Sequence, residues 1–167
     1  MNLHPGPLCV VATGGTLDKV YFDALSAFSI AEHQAPGILS AAGADHETHL
    51  VSVCKKDSLE LTDDDRKAIL DAINACPERR ILLTHGTDTM PVTAAFLKGR
   101  VPGKTVVLTG AMQPALMRDT DAHFNVGFAA AATQLLHEGV FIAMNGRIFE
   151  AGRVHKNRDA GKFEHHE

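Results

Sequence analysis

Short apolar segments rich in β-branched residues alternate along this chain with longer segments of helical periodicity. The apolar segments predict strands at Leu8–Thr13, His49–Val53, Arg80–Thr84, Thr105–Thr109 and Val140–Asn145. The first, third and fourth are almost continuously apolar, which is typical of parallel strands covered on both faces. Strands separated by helices predict an α/β fold, here a doubly wound sandwich with a mostly parallel sheet. The length of 167 residues suits one such domain, so we expect a single domain over residues 1–167.

Three segments have the pattern of helices: Thr62–Ala75, about Pro91 to Lys98, and His123–His137. Thr62 and Asp65 have the spacing of a capping box at the start of the first helix. In the third helix the expected buried stripe consists of Phe124, Phe128, Ala132 and Leu135. Gly139 is expected to close that helix. The segment Tyr21–Gly43 is rich in Ala and Gly and stays ambiguous, with a partly helical pattern.

The charge and the aromatic content argue against nucleic-acid binding. The net charge is −4 with ten neutral histidines, whereas proteins that bind the phosphate backbone usually carry a basic excess. Aromatic residues make up 5% of the chain, so base stacking is not expected. The histidines are scattered, and neither an HExxH nor a CxxC motif occurs, so we expect no metal site.

Several features favour a cytoplasmic protein without a membrane partner. Met1–Gly6 lacks the charged and apolar regions of a secretion signal. The longest apolar runs have about six residues, far fewer than the roughly 20 that span a bilayer. Cys9, Cys54 and Cys76 are odd in number and lie in apolar or helical segments, so we expect three buried free thiols.

Three of the predicted strands end in Thr followed by small residues, in VVATGGT (Val10–Thr16), ILLTHGTDT (Ile81–Thr89) and VVLTGAM (Val106–Met112). Because parallel strands end at the same edge of a sheet, these turns are expected to meet there. The residues expected to share the resulting crevice are Thr16, Thr87, Asp88 and, through its backbone, Ala111. Glycines would let the backbone approach a ligand, and free N–H groups can hold an oxyanion. The GxxxxGK[ST] and GxGxxG motifs are absent, which disfavours nucleotide binding.

The hydroxyl groups at these turns favour nucleophilic catalysis. A Thr hydroxyl is a poor nucleophile until a neighbour accepts its proton or lowers its pKa. Tyr21 and a desolvated Lys156 are the candidates for activating Thr16, although a solvated Lys156 is the alternative. Asp88 is a candidate to hold a substrate ammonium or to orient the lysine. We interpret His85 as a structural hydrogen-bonding residue rather than a base.

The motifs ATGGTLDK and LLTHGTDTM resemble the two signature motifs of bacterial-type L-asparaginases, which are Thr-dependent amidohydrolases. The similarity continues through VVLTGAMQP, the DAHFN segment and VFIAMNGRIFEAGRVHKN, and more loosely through KDSLELT. It covers nearly the whole chain in the same order. The resemblance implies an N-terminal α/β domain that carries two Thr-centred groups.

The resemblance also implies a role for each matching residue. Thr16 matches the attacking Thr of the family, and Tyr21 matches its Tyr partner. Thr87 matches the second Thr, which Asp88 and Lys156 support. The implied substrate contacts are Ser58 for the α-carboxylate, Asp88 for the α-ammonium, and the backbone near Gly15, Thr87 and Ala111 for the scissile amide.

One position departs from this pattern, and several other polar residues fall outside it. Relatives have Gln where this chain has Leu59, and the sequence leaves open whether Glu60 replaces the lost hydrogen bond. Asp18 and Lys19 are expected on a mobile lid or in solvent. Asp121 and Asn125 are expected to shape their loop and to cap the following helix.

The implied activity is hydrolysis of the side-chain amide of L-asparagine to L-aspartate and ammonia, without a cofactor. Thr16 would form an acyl-enzyme, and Thr87 and Lys156 would activate the water that hydrolyses it. The alternatives are a relaxed amidase acting on glutamine or peptidyl asparagine, and a non-catalytic amino-acid-binding module. Family members usually continue into a smaller C-terminal domain, so we expect a short form with weak affinity for asparagine. Self-association into a dimer or tetramer would cover the exposed surface.

Overall fold

The computed structural model describes residues 6–166; Met1–Pro5, which belong to the segment expected to lack a secretion signal, and Glu167 lie outside the described residues. The strands are β1 (Leu8–Gly14), β2 (Lys19–Phe22), β3 (Ala27–Ile30), β4 (Thr48–Lys56), β5 (Arg80–Thr84), β6 (Thr105–Thr109), β7 (Gly139–Met144), β8 (Arg147–Glu150), β9 (Val154–Asn157) and β10 (Lys162–His165). The helices are α1 (Ala35–Ala41), α2 (Asp63–Ala75), α3 (Met90–Leu97) and α4 (Ala122–Leu135). All the predicted strands and helices are confirmed, as is the capping box between Thr62 and Asp65.

The apolar strands form the centre of the molecule, in a sheet of order β4-β1-β5-β6-β7-β8. The neighbours from β4 to β7 are parallel, and β8 is antiparallel to β7. Ala12 of β1 pairs with Thr84 of β5, which pairs with Thr109 of β6. Because these strands end level with one another, the turns that follow them leave from the same edge of the sheet.

Helices cover both faces of this sheet, which confirms the predicted doubly wound α/β sandwich. Alternate residues of the central strands pack against α2 and α3 on one face and against α1 and α4 on the other. Strands buried on both faces have no polar side to present, which explains their nearly continuous apolar sequences.

The buried face of α4 differs from the predicted stripe. Phe124 is 59% exposed and Leu135 is 78% exposed, whereas Ala132 is buried as predicted. The helix instead packs on the sheet through small residues such as Ala129, because small side chains let a helix lie close to a sheet. Gly139 does not close the helix, which ends at Leu135; Gly139 begins β7.

The ambiguous segment Tyr21–Gly43 contains a one-turn 3-10 helix, Asp23–Leu25, and the α-helix α1. Before that helix, β2 and β3 form an antiparallel hairpin that is separate from the main sheet. Cys9 and Cys76 are buried as expected, but Cys54 is only partly buried. Within residues 6–166, no helix combines the length and the apolar character needed to cross a membrane.

Candidate active site

The turns at the carboxyl edge of the sheet pack backbone against backbone. Gly15 has a φ of +83°, and a Cβ there would lie 2.5 Å from the Cα atom of Gly86. A Cβ on Gly86 would lie 2.6 Å from the Cβ atom of Ser58, and one on Gly110 would collide with the carbonyl oxygen of His85. Only glycine fits these contacts. The predicted convergence of the three turns is therefore confirmed, and the segment that contains Ser58 joins them.

Lys156 forms the centre of a polar group at this edge. Its Nζ atom donates hydrogen bonds to Thr87 Oγ1 at 2.8 Å and to Asp88 Oδ1 at 2.6 Å. The side chain of Lys156, in β9, is 12% exposed and Thr87 is buried, so the pair is largely shielded from solvent. Arg158 Nε lies 3.6 Å from the same Asp88 oxygen. The alternative of a solvated Lys156 does not hold in this structure.

Ser58 lies in a one-turn 3-10 helix, Ser58–Glu60, that abuts the turn of Gly86. Ser58 is buried, and its carbonyl oxygen accepts a hydrogen bond from Thr89 Oγ1 at 2.7 Å. Asp57 caps this helix with its side chain. The structure thus fixes the backbone of Ser58 against the turn that carries Thr87.

The two residues after Ser58 have different surroundings. Leu59 is 60% exposed. Glu60 Oε2 accepts a hydrogen bond from the backbone N–H of Asp57 at 3.3 Å, as part of a capping box. The carboxylate of Glu60 therefore has a local structural partner.

Thr16 begins the one-turn helix Thr16–Asp18 and lines a cavity of about 330 Å³. The other residues that line this cavity are Lys19, Phe28, Gln113, Pro114 and Met117. Tyr21 lies in the β2–β3 hairpin, with its ring edge-on to Phe28 at 5.4 Å between centroids. Its side chain is 53% exposed, and within residues 6–166 its hydroxyl forms no hydrogen bond to Thr16. The structure thus places Tyr21 beside Phe28, which lines the cavity, and shows no hydrogen bond from Tyr21 to Thr16 within the described residues.

Asp121 holds the loop that contains Ala111. Its carboxylate accepts hydrogen bonds from the backbone N–H groups of Met112 and Gln113, each at 3.0 Å. Asn125 donates to the carbonyl oxygen of Gly110 at 3.0 Å. The predicted role in shaping the loop is confirmed. The predicted capping of α4 by Asp121 is wrong, because its carboxylate is engaged by the loop.

His85 is a buried structural residue, as interpreted from the sequence. Its Nδ1 atom lies 2.7 Å from the carbonyl oxygen of Gly86, and its Nε2 atom lies 2.9 Å from Thr93 Oγ1. A carbonyl oxygen only accepts, so Nδ1 carries the proton and Nε2 accepts from the hydroxyl. Burial lowers the pKa of His85 to about 4, so the imidazole is neutral near pH 7.

Two side-chain contacts near the site are not predicted by the sequence: an ion pair between Lys19 and Asp57, and a hydrogen bond between Asp18 and His33. Lys19 Nζ lies 2.8 Å from Asp57 Oδ2, and this contact holds the pKa of Asp57 below its usual value. Asp18 is fully buried and its Oδ2 lies 2.7 Å from His33 Nδ1, so the expectation that it lies on a lid or in solvent is wrong. The position of Asp57 directly before Ser58 was the available signal for the first pair. The second pair depends on a fold in Tyr21–Gly43 that the sequence left ambiguous.

Comparisons with known proteins find similarity to asparaginases. A family model described as "Asparaginase, N-terminal" matches residues 7–163. The L-asparaginase of Thermococcus kodakarensis is 32% identical over 165 residues, which cover 92% of this chain and 48% of that protein. The glutaminase-asparaginase of Acinetobacter glutaminasificans is 27% identical over 160 residues, covering 88% of this chain and 48% of that protein.

The fold is similar to solved structures as well. The structure of the thermostable L-asparaginase from Thermococcus kodakarensis superposes with a TM-score of 0.82 at 26% identity, covering 95% of this chain and 51% of that chain. The chain therefore spans about half the length of the relatives that it matches.

Proposed function

This chain belongs to the asparaginase family, whose N-terminal domain it matches, and we propose that it hydrolyses the side-chain amide of L-asparagine to L-aspartate and ammonia. The observation that carries the proposal is the contact of Lys156 Nζ with both Thr87 Oγ1 and Asp88 Oδ1. A largely shielded lysine bonded to a hydroxyl and a carboxylate can transfer a proton between them.

In the first half-reaction, Thr16 Oγ attacks the amide carbon of the substrate. The carbonyl oxygen becomes an oxyanion, which the backbone N–H groups near Gly15, Thr87 and Ala111 would stabilise. The C–N bond then breaks, the proton lost by the hydroxyl goes to the leaving nitrogen, and ammonia departs. The close packing of these turns supports the proposal, because preorganised N–H donors are the main source of rate enhancement in such reactions. Tyr21 is the proposed partner of Thr16.

In the second half-reaction, water hydrolyses the acyl-enzyme ester. We assign the activation of this water to Thr87, which accepts a proton from the water while its own hydroxyl proton passes to the free amine of Lys156. Asp88, on the other side of Nζ, stabilises the ammonium that forms. Bond formation between water and the acyl carbon releases L-aspartate and returns the proton to Thr16.

Substrate recognition is assigned to the same edge. Ser58 would bind the α-carboxylate and Asp88 the α-ammonium, as the family resemblance implies. Gly15 and Ala111 would contact the amide through their backbones. Leu59 is exposed and Glu60 is engaged in its capping box, so neither supplies the hydrogen bond that relatives obtain from Gln. This loss supports the expected weak affinity for asparagine.

A relaxed amidase that also accepts glutamine is the second candidate. Leu59 is apolar and exposed, so the bound amino acid lacks one hydrogen bond that would hold it in place. One relative is named a glutaminase-asparaginase. A homo-oligomer, a dimer or tetramer, in the cytoplasm is proposed for either activity.

A substrate panel tests the proposal. Purified protein is incubated with L-asparagine, L-glutamine and D-asparagine, and the ammonia released is measured for the native chain and for Thr16→Ala. The proposal predicts release from L-asparagine that falls on the order of 10²-fold or more in the variant. Release from glutamine at a similar rate would favour the relaxed amidase. No release from any substrate, together with thermal stabilisation by aspartate, would favour a non-catalytic binding module.

A further inference from the structure

Two buried thiols meet at the edge of the sheet opposite the candidate active site. Cys9 lies near the start of β1 and Cys76 directly follows α2, and their Sγ atoms are 2.8 Å apart. Ligand atoms of Cys9, Cys76 and Glu78 all lie within 4.8 Å of one another. The expectation of no metal site rested on motifs in the sequence, and this cluster forms only when the chain folds.

The carboxylate of Glu78 is largely buried, and only one of its two oxygens has a polar neighbour among the described residues. Its side chain is 9% exposed, and its Oε2 atom is buried without a hydrogen-bond partner among the described residues. Burying a charged oxygen in this way is costly unless a donor or a cation compensates. The unpartnered oxygen therefore points to a cation beside the two thiols.

His49 supplies a further donor on the same side. It pairs with Cys9 across the parallel strands β4 and β1, so both side chains lie on the same face of the sheet. Its Nδ1 atom lies 3.4 Å from Glu78 Oε1. Bonds of ~2.0–2.1 Å to a tetrahedral zinc ion place neighbouring nitrogen and oxygen ligands about 3.4 Å apart. Only the distance between His49 and Glu78 matches this value. The ligand atoms that already lie together are those of Cys9, Cys76 and Glu78, so the half-exposed His49 would have to move toward the thiols to complete the set.

We propose that Cys9, Cys76, Glu78 and His49 bind a structural zinc ion. Thiolate and imidazole are the ligands that zinc prefers, and four protein ligands are typical of structural sites. Two thiolates and one carboxylate carry three negative charges, which Zn²⁺ and the ammonium of Lys104 neutralise. Lys104 Nζ donates to the carbonyl oxygens of Cys76 and Glu78, which places this charge beside the site.

A disulfide is the competing use of the thiols. It would join Cys9 to Cys76 but leave Glu78 Oε2 without a partner in residues 6–166. Zinc bonded to sulfur at ~2.3 Å sets the sulfur atoms about 3.7 Å apart, so binding moves them apart by about 1 Å. Cys76 is the C-cap residue of α2, so this shift falls at the end of the helix rather than within it.

Metal titration of the reduced, chelator-treated protein tests the proposal. Cobalt(II) should give a thiolate-to-metal charge-transfer absorption that saturates at one ion per chain and disappears when zinc is added. Cys76→Ser should abolish the band. Glu78→Gln and His49→Ala should weaken binding by about 10–100-fold or more. Cys54→Ser is the matched control, because Cys54 contacts the carbonyl oxygen of Thr13, away from the cluster, and should leave the titration unchanged.

Three results would overturn the proposal. The first is a cobalt titration without a thiolate band, and the second is binding by Cys76→Ser as tight as that of the native chain. The third is a loss of two free thiols in protein denatured without reductant, which would mean that Cys9 and Cys76 form a disulfide. Glu78→Gln retains both thiols, so it stays informative if the serine variant does not fold. Full-affinity binding by Glu78→Gln would also contradict the assigned ligand set.

Discussion

At the residue scale, the contact of Lys156 with Thr87 joins side chains 69 positions apart. Motif resemblance identified both residues, but their spacing alone could not predict that they touch. The contact depends on the hairpin of β9 and β10, for which the sequence analysis made no prediction. Asp18 shows the opposite case, since it was expected on a mobile lid or in solvent. Its burial is made tolerable by His33, a partner that no local pattern reveals.

The buried His85 predicts a specific loss of stability in acid. Its folded-state pKa of about 4 lies below the value of about 6.5 in an unfolded chain, so the unfolded state binds more protons between these values. The contribution of neutral His85 to the free energy of unfolding is complete above pH 6.5 and is lost as the pH falls toward 4. We expect the protonation of His85 to lower the free energy of unfolding by about 2 kcal/mol when the pH falls from 7 to 5.

Urea denaturation at both pH values measures this effect. The variant His85→Gln lacks the titrating group, so its free energy of unfolding should fall less over the same interval. The comparison uses the pH dependence of each protein, so a lower absolute stability of the variant does not affect it. An equal decrease in both proteins would show that His85 does not titrate in this way.

At the scale of elements, the sequence predicted β1, β5 and β6 well because strands buried on both faces leave an uninterrupted apolar pattern. The same reasoning failed for the buried face of α4. Hydrophobicity favours large side chains such as Phe124, whereas contact with a sheet selects small ones. The β2–β3 hairpin was missed because its residues are mostly exposed and carry no burial pattern.

The packing of the turns predicts that Gly86 tolerates no side chain. A Cβ there would lie 2.6 Å from the Cβ atom of Ser58 and 2.9 Å from its Oγ atom, so Gly86→Ala must displace Ser58. We expect a loss of about 1–3 kcal/mol in the free energy of unfolding and a sharp decrease in ammonia release.

The matched control is Gly37→Ala in α1, where a Cβ would meet nothing within 4 Å. Alanine has the higher helix propensity, so this variant should gain roughly 0.5–1 kcal/mol and keep its activity. Thermal or urea denaturation measures both variants. Equal stability of Gly86→Ala and the native chain would mean that the turns are less tightly packed than described.

At the scale of the whole molecule, exposed apolar side chains predict self-association. Phe22, Leu25 and Phe28 of the hairpin region are at least half exposed, and so is Phe124 on α4. Burying such residues between subunits would stabilise an oligomer. Light scattering coupled to size-exclusion chromatography should give the mass of a dimer or tetramer. A monomer mass over the whole concentration range would contradict this prediction.

The central claim is that Thr87, supported by Lys156 and Asp88, acts in the hydrolysis of asparagine. Steady-state ammonia release from L-asparagine by Thr87→Val tests it most directly, because valine keeps the shape and removes only the hydroxyl. Thr84→Val is the matched control, since Thr84 Oγ1 is buried without a hydrogen-bond partner among the described residues and its loss should be harmless. We predict a decrease on the order of 10²-fold or more for Thr87→Val and a native rate for Thr84→Val. A native rate for Thr87→Val would contradict the account.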